Sequence, residues 1–315
     1  MLIERTIITL FVLAVIFVNG ATDAPNSIAS AVGGGVLKYK SACILCAVFN
    51  FLGLAVSGAF FPYVSESITS ITVGKAAVIP LATVVIFSSV AWCFGIPTSE
   101  SHALVAALGG VSLYTTGRLT GSFVDICIKS AASCVIGFIF GAIFAFLLSP
   151  FFKDGRLLSQ KRGRRRLQAI CAAGSSACHG MQDGQKFTAM LLPCAVVGKL
   201  PLSAVLVCSL VMGVGCLTGG GRITKKLGEE MTSSVGSSGV ASDIGALVCT
   251  FASTLLGIPV STTYMKTCSM LGASAAVRAP VNKKVALELL VTWAVTYPVC
   301  MAISYALCFL LRGFI

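Results

Sequence analysis

Six long, nearly charge-free apolar runs dominate the chain: Ala42 to Phe61, Ala76 to Gly95, Ser130 to Phe152, Leu200 to Gly221, Ile244 to Val260 and Ala286 to Leu311. A helix rising about 1.5 Å per residue needs about 20 such residues to cross roughly 30 Å of hydrocarbon. Lipid offers backbone N–H and C=O groups no partner, so each run is predicted to be a membrane helix. Composition agrees, with 56% of the 315 residues hydrophobic and only 11% charged, too little polar side chain to cover a soluble globule. A soluble enzyme, a nucleic-acid binder or a disulfide-stapled secreted domain needs no repeated spans of this purity.

The 14 cysteines lie mostly inside these runs, as Cys43, Cys46, Cys93, Cys134, Cys208, Cys249 and Cys308 do, where they serve as small polarizable packing residues. Cys43-x-x-Cys46 has no matching pair at metal-site spacing. No cleavable signal peptide is expected, because the first apolar run, Thr6 to Val18, leads into Asn19-Gly20-Ala21-Thr22-Asp23 rather than a small-residue cleavage site.

Between the strong spans lie weaker segments rich in Gly, Ser, Thr and Ala: Gly20 to Val36, Thr98 to Thr115, Gly174 to Val197 and Ser261 to Val277. They read as helices broken by small and polar residues, tolerated at membrane depth only where buried in protein or lining a wet cavity. Basic residues cluster at Lys38/Lys40, along Lys153 to Arg166, at Arg222/Lys225/Lys226 and at Arg278/Lys283/Lys284. With one net crossing per segment, all four clusters fall on one side, which the positive-inside rule makes cytoplasmic, with both termini outside. The formal charge of +12 is therefore chiefly an orientation signal in a multi-pass protein of the cytoplasmic membrane. The Lys-Arg-Gly-Arg-Arg-Arg stretch is read as an orientation determinant, and no nucleic-acid partner is expected.

Two motifs recur at nearly one spacing. Asn19-Gly20-Ala21-Thr22-Asp23-Ala24-Pro25-Asn26 answers His179-Gly180-Met181-Gln182-Asp183-Gly184-Gln185-Lys186 at 160 positions, and Gly95-Ile96-Pro97-Thr98-Ser99-Glu100-Ser101-His102 answers Gly257-Ile258-Pro259-Val260-Ser261-Thr262-Thr263-Tyr264 at 162. The chain therefore reads as two repeats, 1–152 and 169–315, joined by a basic cytoplasmic loop, 153–168. Five crossings per half make the duplication inverted: an all-α polytopic membrane protein whose broken or re-entrant helices meet near mid-membrane.

Asp23 and Asp183 are carboxylates at membrane depth, costly unless a cation or donor lies beside them. With the oxygens of Asn26 and Gln185 nearby, they form the candidate cation site for Na⁺ or H⁺; the alternative is helix capping. In the Ile-Pro-x-Ser motifs a proline precedes a hydroxyl cluster and a small-residue helix, so N–H and hydroxyl donors converge at a helix start suited to an oxyanion. Thr98, Ser99, Glu100, Ser101, Ser261, Thr262 and Thr263 are the candidate anion residues, against simple capping. Thr22, Gln182, His102 and Tyr264 are assigned supporting roles around them, the last two as donors. For Glu100 two readings stay open: it takes up a proton with the anion, or it complements the helix dipole and faces away.

These four ordered motifs, spanning Asn19 to Ala273, resemble the inorganic phosphate transporter family of cation-coupled permeases. That family carries G-A-N-D in each half, the second often as H-G-x-N-D-x-Q-K, and P-V-S-T-T-H downstream in both. Here Thr22 and Gln182 replace the asparagines, Glu100 stands at a hydroxyl position and Tyr264 replaces the histidine. The resemblance implies an inverted-repeat homodimer moving phosphate with Na⁺ or H⁺, with cations at the aspartates, phosphate at the hydroxyl clusters and no further cofactor. Sulfate permeases share the family, so sulfate is the alternative cargo. Phosphate keeps a proton at neutral pH and can donate it to Glu100, which favours phosphate. A passive channel remains a lesser alternative, and a membrane-embedded enzyme would need a catalytic constellation that the residues do not supply.

Overall fold

The computed structural model describes residues 2–60, 77–119, 121–152, 161–194, 200–232 and 237–312. Parts of the expected features, including 61–76, the basic residues at 153–160 and the stretch 195–199, lie outside these. The described residues form a bundle of helices. The first half holds α1 (Leu2–Thr22), a 3-10 turn (Ala24–Ile28), α2 (Ala29–Gly33), α3 (Tyr39–Phe60), α4 (Val78–Cys93), α5 (Glu100–Thr116) and α6 (Gly121–Leu148). The second holds α7 (Lys161–Thr188), a 3-10 turn (Ala189–Cys194), α8 (Leu202–Thr218), α9 (Gly221–Lys225), α10 (Ser237–Leu255), α11 (Thr262–Ala276) and α12 (Lys283–Leu310).

Five helical segments are long and apolar enough to cross a membrane: Leu2–Gly33, Tyr39–Ala59, Phe123–Phe152, Ser237–Leu255 and Lys283–Leu310. The run expected from Leu200 to Gly221 stops at Thr218, and Gly219-Gly220 bend it by 66° into the next helix. Gly220, at φ +87°, takes a left-handed turn that a Cβ would strain. The first weak segment breaks where expected: Pro25 lacks an N–H, and its ring would press on the Ala21 carbonyl of a continued helix. Its counterpart does not break at Asp183, because α7 contains no proline and runs unbroken to Thr188. That helix also reaches back to Lys161, into the basic stretch read as loop.

The two halves pack alike. Helix α1 lies on α8 as α7 lies on α3, α5 on α12 as α11 on α6, and α4 on α5 as α10 on α11, while α3 and α8 face each other. The correspondence extends to single residues. A Cβ on Gly20 would collide with the Met212 carbonyl, and one on Gly180, 160 positions on, with the Asn50 carbonyl. Gly95 and Gly257 both sit at φ +66° in the turns before the Pro-Ser segments. The bundle is apolar outside, where Leu10, Ile44, Ile139, Leu206 and Val291 are exposed, and strongly polar within, as a lipid-facing surface requires.

Candidate functional site

Helices α5 and α11 have 17 and 15 residues, roughly 25 and 22 Å at about 1.5 Å per residue, too short to cross alone. Their N-termini meet: the Ser99 and Ser261 hydroxyls, each the residue just before its helix, hydrogen-bond at 2.9 Å. Ser261 also accepts from the Tyr264 N–H at 3.2 Å, so it caps its helix, whereas Ser99 makes no side-chain cap. The two aspartate segments pass the same point, which brings all four motifs together.

Asp23 is buried in the break after α1 and makes no cap with its side chain. Its Oδ1 accepts from Asn26 Nδ2 at 2.7 Å and from the Thr263 hydroxyl of the other half. Asp183, within α7, accepts from Thr262 at 2.8 Å and from Ser101 of the first half at 3.1 Å. Each aspartate thus takes a hydroxyl from the opposite half. Their charges are balanced differently. Lys186 Nζ lies 2.5 Å from Asp183 Oδ1 and 2.9 Å from Ser101 Oγ, and also donates to the Val260 carbonyl. Asp23 has no such ammonium; its neighbour at the matching position is Asn26, and Glu100 adds a second carboxylate close by. Glu100 is fully buried and accepts from Thr22 at 2.7 Å, Thr98 at 3.4 Å and Asn19 at 3.4 Å. Its carboxylate therefore points toward the segment that carries Asp23, from which Asn19 and Thr22 donate to it.

Two sequence assignments change and one is extended. At Asp183 the residue at i+3, Lys186, reaches the carboxylate and joins the candidate cation set of Asp183 and Gln185. His102 is no hydrogen-bond donor among the described residues; its ring lies 4.0 Å from that of Tyr264 and 5.3 Å from that of Tyr297, with neither nitrogen partnered. Tyr264 in turn stacks on Trp293 at 3.9 Å, so the pair builds an aromatic wall. Gln182 does support the fold, donating to the Ile258 carbonyl at 2.8 Å in the turn before Ser261.

Two residues quoted only inside the motifs, His179 and Asn19, belong to the site as well. His179 Nε2 lies 3.2 Å from Asp183 Oδ2, and one ligand atom each from Asp23, His179 and Asp183 falls within 4.8 Å of the others. Asn19, Asp23 and Asn26, at i, i+4 and i+7, each leave one buried side-chain oxygen without a donor. Oxygen atoms of this kind suit a hard cation better than the imidazole does. Helical spacing from Asp23 and Asp183 would have found Asn19, His179 and Lys186 in the sequence.

A helical membrane bundle with broken segments, short helices meeting end to end and buried carboxylates where they meet is the architecture of a secondary transporter. A model described as the phosphate transporter family matches residues 19–304, and the chain belongs to that family. A probable low-affinity inorganic phosphate transporter of Bacillus subtilis is 30% identical, the match covering 99% of this chain and 98% of that protein. One of Rhizobium meliloti is 32% identical over 93% and 92%. Among solved structures, one described as the sodium-dependent phosphate transporter superposes with a TM-score of 0.84 over 99% of this chain and 100% of its own, at 18% identity, a likeness of fold.

Proposed function

We propose that this chain is a symporter that carries inorganic phosphate through the cytoplasmic membrane together with Na⁺ or H⁺, with the basic stretch on the cytoplasmic side. The family and its relatives support phosphate as cargo. The observation that carries the coupling is the charge of the site: among the described residues, Asp23, Asp183 and Glu100 are buried together with one ammonium paired to them, that of Lys186. An anion entering such a place is repelled unless cations or protons come with it. The donorless oxygens of Asn19, Asp23 and Asn26 fit Na⁺, which we place there rather than at Asp183, whose charge Lys186 already meets. The hydroxyls of Ser99, Ser101, Ser261, Thr262 and Thr263 and the two helix N-termini supply donors to the anion.

Purified protein in proteoliposomes tests this. Labelled phosphate should accumulate against its gradient when an inward Na⁺ or H⁺ gradient is imposed, and stop when the gradient is collapsed. Downhill flux indifferent to both cations would make it a channel. Accumulation of sulfate in preference to phosphate would transfer the same mechanism to the other anion.

A further inference from the structure

A second buried lysine lies outside all four motifs. Lys266 of α11 is 3% exposed and pairs with the fully buried Asp243 of α10, while Ser30 of α2 donates to the same carboxylate oxygen. Stability gives no reason for such a pair, since desolvating two charges cancels most of their attraction and apolar residues of like size usually serve as well. Its position does. Lys266 stands one helical turn after Thr262, and both line a cavity of about 20 Å³ shared with Asn26 and His179 of the aspartate cluster. The walls on the far side bring Ser175 and Thr250, and the Ser175 hydroxyl is buried with no hydrogen-bond partner.

The chemistry of these walls selects a ligand. With Lys266 turned from Asp243 toward the cavity, an oxyanion would find charge from its ammonium and donors from Ser175 and Thr250. The cavity also lies on a track. Asp183, His179, Ser175 and Gln168 follow one another along buried positions of α7 toward its basic first turns at Arg162 to Arg166. A space of this size holds a water-sized occupant, so an oxyanion fits only if side chains move. The long lysine stem, held at its charged end by Asp243 and by the Ser30 hydroxyl at 3.2 Å, is the part best able to do so.

We propose that Lys266, Ser175 and Thr250 form an inner station for the transported oxyanion, between the aspartate cluster and the basic end of α7, with Asp243 holding the ammonium when no anion is bound. This rests on the reading of the chain as an oxyanion permease.

The test uses reconstituted full-length protein and two variants. Lys266→Met combined with Asp243→Asn removes both charges and so leaves no unpaired ion to unfold the bundle. Lys266→Arg keeps the charge. Wild-type accumulation of labelled phosphate comes first; if the protein prefers sulfate, sulfate becomes the probe, and phosphate as cargo fails while the station can still be judged. The double variant should raise KM for the anion at least tenfold, leave the cation concentration for half-maximal uptake within twofold, and show weaker phosphate-induced thermal stabilisation than wild type. Lys266→Arg should stay within threefold of wild type in KM. A double variant with wild-type KM and wild-type stabilisation by phosphate overturns the station and leaves a structural ion pair. So does an equal loss of maximal rate in both variants with KM unchanged.

Discussion

Removing Lys186 should unbalance the site in a way sodium can repair. In Lys186→Met the stem keeps its volume but the ammonium 2.5 Å from Asp183 disappears, in a place where the two side chains are 2% and 0% exposed. Breaking a buried pair from one side costs about 3–5 kcal/mol, because the remaining charge stays desolvated. Ser101 and the Val260 carbonyl also lose their donor. Adding Asp183→Asn removes the stranded charge, so the double variant should regain most of the loss. The single variant should have a further property. Asp183, freed of its ammonium and held near Asp23 and His179, becomes a cation ligand in its own right. Sodium that binds only the folded state at about 100 times its Kd would then restore about 2.7 kcal/mol. Thermal unfolding of detergent-purified protein in sodium and in choline chloride measures all of this. A Lys186→Met variant as stable as wild type, or one that gains no more from sodium than wild type does, would refute the claim that Lys186 serves as the built-in cation of the second half.

Asp23→Asn should fold normally, since no ammonium depends on it, and should lose cation-driven phosphate uptake in proteoliposomes. Asn19→Ala removes one of the donorless oxygens and should weaken cation binding by about 1–3 kcal/mol, read as a roughly five- to hundredfold rise in the sodium needed for half-maximal uptake. Ser99→Ala and Ser261→Ala each break the 2.9 Å bond between the two helix starts, so their effects on phosphate affinity should be less than additive by about 0.5–1.5 kcal/mol in a double-mutant cycle. Glu100→Gln keeps an oxygen for Thr22 but drops a charge, so the positive charge moved per phosphate should fall, as recorded by transport currents on supported membranes.

Much of this could be read from residue order because membrane spans and turn chemistry are local. The apolar runs, the break at Pro25 and the paired Gly-Ile-Pro turns each depend on a few neighbouring residues, and all are helical or turned where expected. The run at Ala76 to Gly95, however, yields a helix of only 16 residues, Val78–Cys93, too short to span alone, and the run from Leu200 is bent after Thr218. The paired motifs are legible for the same reason, and Ser99 and Ser261, at matching places in them, meet in the structure. What local pattern left open was side-chain direction. Lys186 is an instance: on the continuous helix it lies about one turn beyond Asp183 and reaches its carboxylate, an orientation that residue order does not state. The histidine His102 was read as a polar donor, yet the aromatic rings it meets come from α11 and α12, more than 160 residues later. The Asp243–Lys266 pair was invisible for a similar reason, since no motif marks either residue and α10 and α11 must fold together before they meet.

The matching motif positions also bear on where the proposed coupling charge would come from. Matching helix pairs pack in each half, with close glycine contacts at Gly20 and Gly180 and left-handed turns at Gly95 and Gly257. The side chains at matching positions differ in charge. Asn26 answers Lys186, and Glu100 answers Thr262. The second half therefore balances its aspartate with its own ammonium, while the first gathers Asp23 and Glu100 with none. Had both halves kept the lysine, or had a hydroxyl stood at position 100, the site would approach neutrality and an anion could enter unaccompanied. As built, an anion about 4 Å from one unbalanced carboxylate meets roughly 4 kcal/mol of repulsion per unit charge at an effective dielectric of about 20, close to a thousandfold in affinity. One bound cation or proton removes that penalty for each carboxylate. On the symport reading proposed above, these two side-chain differences at matching positions would make the anion's affinity depend on the ions that accompany it.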